Sequence, residues 1–434
     1  MNTQRPGSSL AGRRDRALGR GAPLFYREPL HLVRGDGVHL YDADGRRYLD
    51  MYNNVPCVGH ANPRVAEAMA RQQSTLNTHS RYLHDSIVEL AERLRGLHST
   101  PGMESVSFGC SGTEAVDVAM QMAKVATGSR GFIATDATYH GNIGDVSALG
   151  RAAAAPESHP TIRAIPFPQR LRPLVADATD DELVAAHLAR LEAAIDSLIA
   201  AGHGVAGLVL CSIQANEGLP DIPAGFMDDA SGMIKAAGGL VIADEVQAGY
   251  ARAGRWWGYE TSGLVPDIVV TGKPMGNGVP LSATTSSHEI VSAWRARSRY
   301  FNTFAASPLQ GAVGLAVIDE IEDRGLVEQA DRVGARLKIA LRARLDPERR
   351  PWMADVRGVG LFAGVEIVHD LESLAPDADR AVDIVNRLKD LGFLTSNAGA
   401  HRNVVKIRPP LVFSDDDTDE FLAGFDQMLS DLDG

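Results

Sequence analysis

Two polar residues, each closing a short apolar run, carry the chemistry that this sequence suggests. In Gly239-Leu240-Val241-Ile242-Ala243-Asp244-Glu245-Val246-Gln247 a β-branched run stops at Asp244. In Val269-Val270-Thr271-Gly272-Lys273-Pro274-Met275-Gly276-Asn277-Gly278 a second one stops at Lys273 among glycines. Such runs are the pattern of buried strands, and α/β sheets keep their ligands in the crevice beyond the carboxyl ends of parallel strands. An amine able to form a Schiff base and a carboxylate for a pyridinium nitrogen are the two side chains that pyridoxal phosphate requires. Asp244 and Lys273 are therefore read as the catalytic pair.

Two other readings compete. A nucleotide-binding loop fails on residues: it needs Gly-x-x-x-x-Gly-Lys-Ser/Thr, whereas Pro274 follows the lysine and Asp267 stands where the first glycine belongs. An ordinary solvated lysine is the other. Against it, the chain has six lysines among 43 basic residues, and Lys124, Lys235, Lys338 and Lys389 all sit in amphipathic helical stretches. Lys273 differs from these in standing at a strand end among small residues.

The pair must be held by elements on either side. Val106 to Cys110 reads as a strand running into Ser111-Gly112-Thr113-Glu114, and apolar residues from Ala115 to Ala126 then recur at helical spacing up to Gly128. Ser111 and Glu114 have the spacing of a capping box. A glycine opening a helix after a strand leaves N–H groups and a positive dipole end facing outward, which is a phosphate cradle; a well-capped helix with no ligand has the same signature. Strands are expected at 132–135, 161–165 and 205–211, and helices at 180–202 and 225–237. This alternation predicts βαβ units and a mainly parallel sheet covered on both faces. Turn signals between Leu32 and Tyr52 predict a small antiparallel meander, with a helix from Pro63 to about Thr75 and an amphipathic stretch from Asp85 to Leu97. After Pro308 long helices are expected (309–323, 326–345), then a smaller α+β unit with strands at 361–367 and 404–407. Residues 1 to about 22 are polar and aperiodic, the pattern of a flexible arm that either packs on a partner or stays disordered.

A chain of 434 residues, 44% hydrophobic and 23% charged, has an ordinary globular composition. Its formal net charge of -12 argues against nucleic acid or an anionic membrane as partner, because phosphate backbones need a concentrated positive field. Cys57, Cys110 and Cys211 are odd in number and without Cys-x-x-Cys spacing, so neither a disulfide framework nor a metal site is expected. No apolar run approaches the roughly 20 residues of a spanning helix, and Arg13-Arg14 is followed by no apolar signal region. A cytoplasmic protein acting on small solutes is expected.

Five motifs in order resemble the class III aminotransferase family of fold-type-I pyridoxal-phosphate enzymes: Gly59-His60-Ala61-Asn62-Pro63, Ser111-Gly112-Thr113-Glu114-Ala115, Tyr139-His140-Gly141, Asp244-Glu245-Val246-Gln247 with Lys273, and Arg408-Pro409-Pro410-Leu411. The likeness runs from about Val38 to Phe413. It implies a large domain with a mainly parallel seven-stranded sheet, a small α+β domain built from both chain ends, and a homodimer with active sites at the subunit interface. The boundaries expected are 1–75, 76–315 and 316–434. It further implies that Ser111, Gly112 and Thr113 hold the cofactor phosphate with Thr303 of the other subunit, that Val246 and Tyr139 sandwich the ring, and that Gln247 reaches its phenolic oxygen.

The sequence departs from many members in having Cys211-Ser212-Ile213-Gln214 in place of Glu-Pro-Ile/Val-Gln, and Asn216 where ornithine- and 4-aminobutyrate-type members have a gating Glu. Without that Glu, Arg408 is expected to stay available to a substrate anion. Within the family, Asn53-Asn54-Val55, Ser80-Arg81-Tyr82-Leu83-His84-Asp85, Tyr300-Phe301-Asn302-Thr303 and His401-Arg402-Asn403-Val404 resemble the ethanolamine-phosphate and phosphohydroxylysine phospho-lyase branch. Asn54, Arg81 and Arg402 join Arg408 as substrate-binding candidates. Transamination from a small amine or amino acid to a keto acid is the first expectation, with elimination of phosphate and ammonia from an amino-alkyl phosphate as the alternative.

Overall fold

The computed structural model describes residues 9–150 and 159–433. An N-terminal meander contains β1 (Leu32–Asp36), β2 (His39–Asp42) and β3 (Arg47–Asp50). The central part contributes β4 (Ser105–Gly109), β5 (Gly131–Thr135), β6 (Ile162–Ile165), β7 (Val205–Cys211), β8 (Leu240–Asp244), β9 (Ile268–Thr271) and β10 (Ser282–Ser286). The C-terminal part adds β11 (Met353–Arg357), β12 (Ala363–Ile367), β13 (Phe393–Leu394), β14 (Ser396–Ala398) and β15 (Val404–Ile407).

The large sheet has the order β4-β10-β9-β8-β7-β5-β6. Strand β10 runs antiparallel to both β4 and β9, and the pairs β9-β8, β8-β7, β7-β5 and β5-β6 are parallel. Every residue of β7 and β9 is buried, as expected of strands covered on both faces. Each large aliphatic side chain buried this way stabilises the fold by ~1.5–3 kcal/mol.

Strand β10 is not foreshadowed by the sequence, because Ser-Ala-Thr-Thr-Ser has no apolar run. It is buried along its whole length. Two of its hydroxyls find backbone acceptors, Thr284 Oγ1 on the Ala115 carbonyl at 2.8 Å and Ser286 Oγ on Asp267 at 2.8 Å, so the hydroxyls that would make such a segment costly to bury are in part satisfied.

The small α+β part draws on both chain ends. The meander β1-β2-β3 is extended by β13, whose Phe393 lies opposite Leu49 in a parallel pair, and a second sheet has the order β11-β12-β15-β14. Helices Ala378–Leu391 and Asp415–Asp433 pack on each other, and on β13 and the helix Leu326–Arg342 respectively. The expected flexible arm is corrected in part: Leu10–Leu18 is a helix, started by Ser9, whose side chain accepts from the Gly12 N–H at 3.2 Å. Its middle, Arg13-Arg14-Asp15-Arg16, is polar and its Leu and Ala residues stand only at the two ends, so no apolar period reveals it, and residues 1–8 lie outside the described residues. Among the described residues no helix is long and apolar enough to cross a membrane.

Candidate active site

Strands β8 and β9 pair in register, Asp244 opposite Val270, so the turn after β9 carries Lys273 beside the end of β8. Both side chains line one cavity of ≈ 370 Å³ with Ser111, Gly112, Thr113, Tyr139, Val246 and Gln247. Eight of the nine residues predicted to contact the cofactor thus meet in one place.

Asp244 is 5% exposed and held on two sides. Its Oδ1 accepts from the Val246 N–H at 3.0 Å, and its Oδ2 lies 2.6 Å from His140 Nδ1, whose other nitrogen is 2.8 Å from Thr138 Oγ1. A carboxylate only accepts, so Nδ1 carries a proton toward Asp244. His140 lay inside a quoted motif but had no role assigned to it; nothing in its local spacing points to Asp244, more than a hundred positions away in sequence, and the contact comes from sheet topology. Burial pushes the Lys273 amine below its ordinary pKa, with the Asp244 carboxylate opposing and the Arg408 guanidinium adding to the shift. The shift favours the neutral amine that a nucleophile or base requires.

The helix Gly112–Thr127 points its N-terminus at the same cavity. Ser111 Oγ accepts from the Glu114 N–H at 3.3 Å. The reciprocal half of the expected capping box is shifted by one residue, since the Glu114 carboxylate takes the Cys110 N–H at 2.8 Å and turns its other oxygen to the Tyr300 hydroxyl, also at 2.8 Å. No described residue accepts from the N–H groups of Ser111, Gly112 or Thr113. The approach is close: a Cβ on Gly112 would lie 2.9 Å from Val246 Cγ1, and one on Gly141 2.1 Å from Thr113 Oγ1. Free N–H groups at a helix start, an anchored carboxylate and a buried amine on one cavity fit a phosphorylated pyridine aldehyde.

Thr303 is absent from this lining. Arg81 and Arg402 are exposed and also outside it; the Arg81 guanidinium carbon lies 4.0 Å from the centre of the Phe301 ring. Arg408 is 5% exposed and lies behind Gln247, donating to the Gln247 side-chain oxygen and, at 2.9 Å, to the Tyr52 carbonyl. Asn54 supports the same wall, its Nδ2 donating to the Gln247 carbonyl at 3.2 Å. Asn142, Cys110 and Cys211 also line the cavity without having been predicted to; burial pushes the Cys211 thiol up to about 12, which keeps it protonated.

A mainly parallel sheet presenting this lysine, carboxylate and open helix start is the architecture of a fold-type-I pyridoxal-phosphate enzyme. The family model for aminotransferase class-III matches residues 25–429, and the chain belongs to that family, whose cofactor is pyridoxal 5'-phosphate. It is 36% identical over 433 residues to an alanine–glyoxylate aminotransferase 2-like protein of Drosophila melanogaster, covering 96% of this chain and 86% of that one. It is 32% identical over 438 residues to ethanolamine-phosphate phospho-lyase homolog 1 of Caenorhabditis elegans, covering 96% and 92%. Among solved structures, an Arthrobacter phospholyase in complex with phosphoethanolamine superposes with a TM-score of 0.91 at 38% identity, covering 97% of this chain and 99% of that one.

Proposed function

We propose that this enzyme eliminates phosphate from a small amino-alkyl phosphate such as O-phosphoethanolamine. The observation that supports the reading is the 38% identity and near-complete overlap with a phospholyase in complex with phosphoethanolamine; the motifs alone favoured transamination. Ser111, Gly112 and Thr113 would hold the cofactor phosphate, Val246 and Tyr139 its ring, Gln247 its phenolic oxygen, and Lys273 its aldehyde carbon. The bound cofactor supplies an electron sink for a carbanion next to the substrate nitrogen. Asp244, fixed by His140, would hold the proton on the ring nitrogen. Lys273 would take the proton from the carbon bearing the amine. The C–O bond on the next carbon then breaks with its electron pair leaving on phosphate, and addition of one water yields aldehyde, ammonia and phosphate. Thr303 belongs in this reading to a second copy, consistent with the exposed Leu83 and Phe304 as parts of a homodimer interface.

A second reading, transamination, is favoured by the Drosophila relative's name and by the Arg408 cation near the cavity. The two separate when the holoenzyme receives O-phosphoethanolamine with no keto acid. Elimination releases phosphate and ammonia in equal amounts over many turnovers. Transamination stops after one turnover, with the amino group retained on the cofactor and no phosphate released. A Lys273→Ala variant that still released phosphate would remove the lysine from either scheme.

A further inference from the structure

Behind the cavity wall lies a second buried basic side chain that the scheme above leaves unused. Lys406 on β15 is 4% exposed. Its Nζ donates to the Ala215 carbonyl at 2.7 Å and to Gln247 Oε1 at 3.2 Å, and no described carboxylate pairs with it. Arg408, two residues on, donates to the same Gln247 oxygen. Side-chain amides usually have two near-equivalent orientations. Here the Arg408 guanidinium and the Lys406 amine on one atom leave only one: oxygen toward Lys406 and Arg408, nitrogen toward the cavity. The nitrogen gives one hydrogen to Asn216 Oδ1 at 3.0 Å, and Asn216 passes the chain on to the Tyr139 carbonyl at 3.1 Å. Gln247 Nε2 keeps a second N–H, and Gln247 lines the cavity while neither Lys406 nor Arg408 does.

We propose that Lys406 is a positioning residue that locks the Gln247 carboxamide with its N–H toward the cofactor, acting with Arg408 from behind the wall. The charged Arg408 donor polarises the amide as well as orienting it, so the N–H becomes a better donor to an oxygen that gathers negative charge on the cofactor, and Lys406 holds the same oxygen from the other side. Burial, with the Arg408 guanidinium beside it, pushes the Lys406 amine well below its ordinary pKa, and an apolar side chain would pack there more cheaply than a buried amine. The arrangement serves either elimination or transamination, so it does not rest on the choice between them.

The test is a double-mutant cycle in the holoenzyme, Lys406→Met and Gln247→Leu alone and together, read by the visible absorption band of the bound cofactor, its pH titration and kcat. Lys406→Met is expected to shift the titration midpoint and lower kcat by roughly tenfold, the scale of losses when a residue supporting a ligand is removed, with KM little changed; Lys406→Arg should restore the band. In the Gln247→Leu background Lys406→Met should do nothing further, because neighbours acting through one another are not additive. Additive effects, or an unshifted band in Lys406→Met, overturn the proposal. If Lys406→Met does not fold, the cycle is run with Lys406→Gln, and the same two results decide it.

Discussion

Replacing Gly141 by alanine tests whether the loop after β5 and the helix Gly112–Thr127 form one rigid cradle. Gly141 has φ 152°, and a Cβ there would stand 2.1 Å from Thr113 Oγ1, 2.3 Å from Thr113 Cβ and 2.8 Å from its Cα, against ordinary carbon contacts of about 3.5–4.0 Å. Thr113 cannot swing aside alone, since its backbone is in the clash and its Oγ1 accepts from the Asn142 N–H at 3.2 Å. Loop and helix must separate by an ångström or more, and both line the cofactor cavity. Overpacking of this kind costs ~1–3 kcal/mol; taken from cofactor binding, it lowers affinity by about 5- to 150-fold. Gly144→Ala is the control: φ is 47° with nothing within 4 Å of an added Cβ, so it suffers backbone strain of ~1–2 kcal/mol without a clash. Titrating each apoprotein with pyridoxal phosphate, alongside thermal unfolding, separates the two effects. Wild-type affinity in Gly141→Ala, or an equal loss in Gly144→Ala, refutes the single-cradle argument.

Two more outcomes follow from buried carboxylates. Asp244→Asn keeps the shape but removes the charge that the ring nitrogen requires, so turnover should fall by at least roughly 100-fold in a protein that still folds; near-normal turnover would show that another group partners the ring. Glu245 is wholly buried and raised from its ordinary 4.5 to about 7, because burial outweighs its bonds from Ser212 Oγ and the N–H groups of Gly258 and Tyr259. The native state therefore holds a proton that the unfolded chain releases near pH 4.5, and this contribution to stability, on the order of 3 kcal/mol, is full below pH 4.5 and lost as pH rises through 7. Denaturant unfolding at pH 5 and pH 8 should show that slope in the wild type and a flatter one in Glu245→Gln; identical slopes in both proteins would assign the loss elsewhere.

The sequence revealed elements wherever a strand or helix is built from one kind of residue. Strand β7 at Val205–Cys211 falls where its apolar run begins and ends, and the helix Pro63–Thr75 starts where proline is favoured. Strand β10 was invisible because its burial is satisfied by hydroxyl bonds to neighbouring backbone rather than by apolar side chains. Lys273, Asp244 and the helix opening were legible as residues at element ends. The links from Asp244 to His140 and from Gln247 to Lys406 and Arg408 were not, since each joins segments brought together only by the finished sheets.

The parallel pair of β3 and β13 fixes an order of events during synthesis. Leu49 and Asp50 emerge early, yet their strand partners Phe393 and Leu394 leave the ribosome on the order of tens of seconds later at ordinary elongation rates. Over that interval Leu40 and Tyr48, which pack with Leu394 in one cluster, lack their partner, and the edge of β3 has no strand to close it. The nearby wall waits as well, because the Arg408 N–H bonds the Met51 carbonyl at 2.7 Å and the Leu411 N–H bonds Cys57 at 2.7 Å. The central sheet with Lys273 and Asp244 can form while the last segment is still being made, and it holds Asn54 and Cys57 through the Gln247 and Pro274 carbonyls, but the backbone bonds to Met51 and Cys57 wait for the final part of the chain. A nascent chain would then hold the catalytic pair before it holds that wall, which makes the C-terminal stretch the step that completes the pocket.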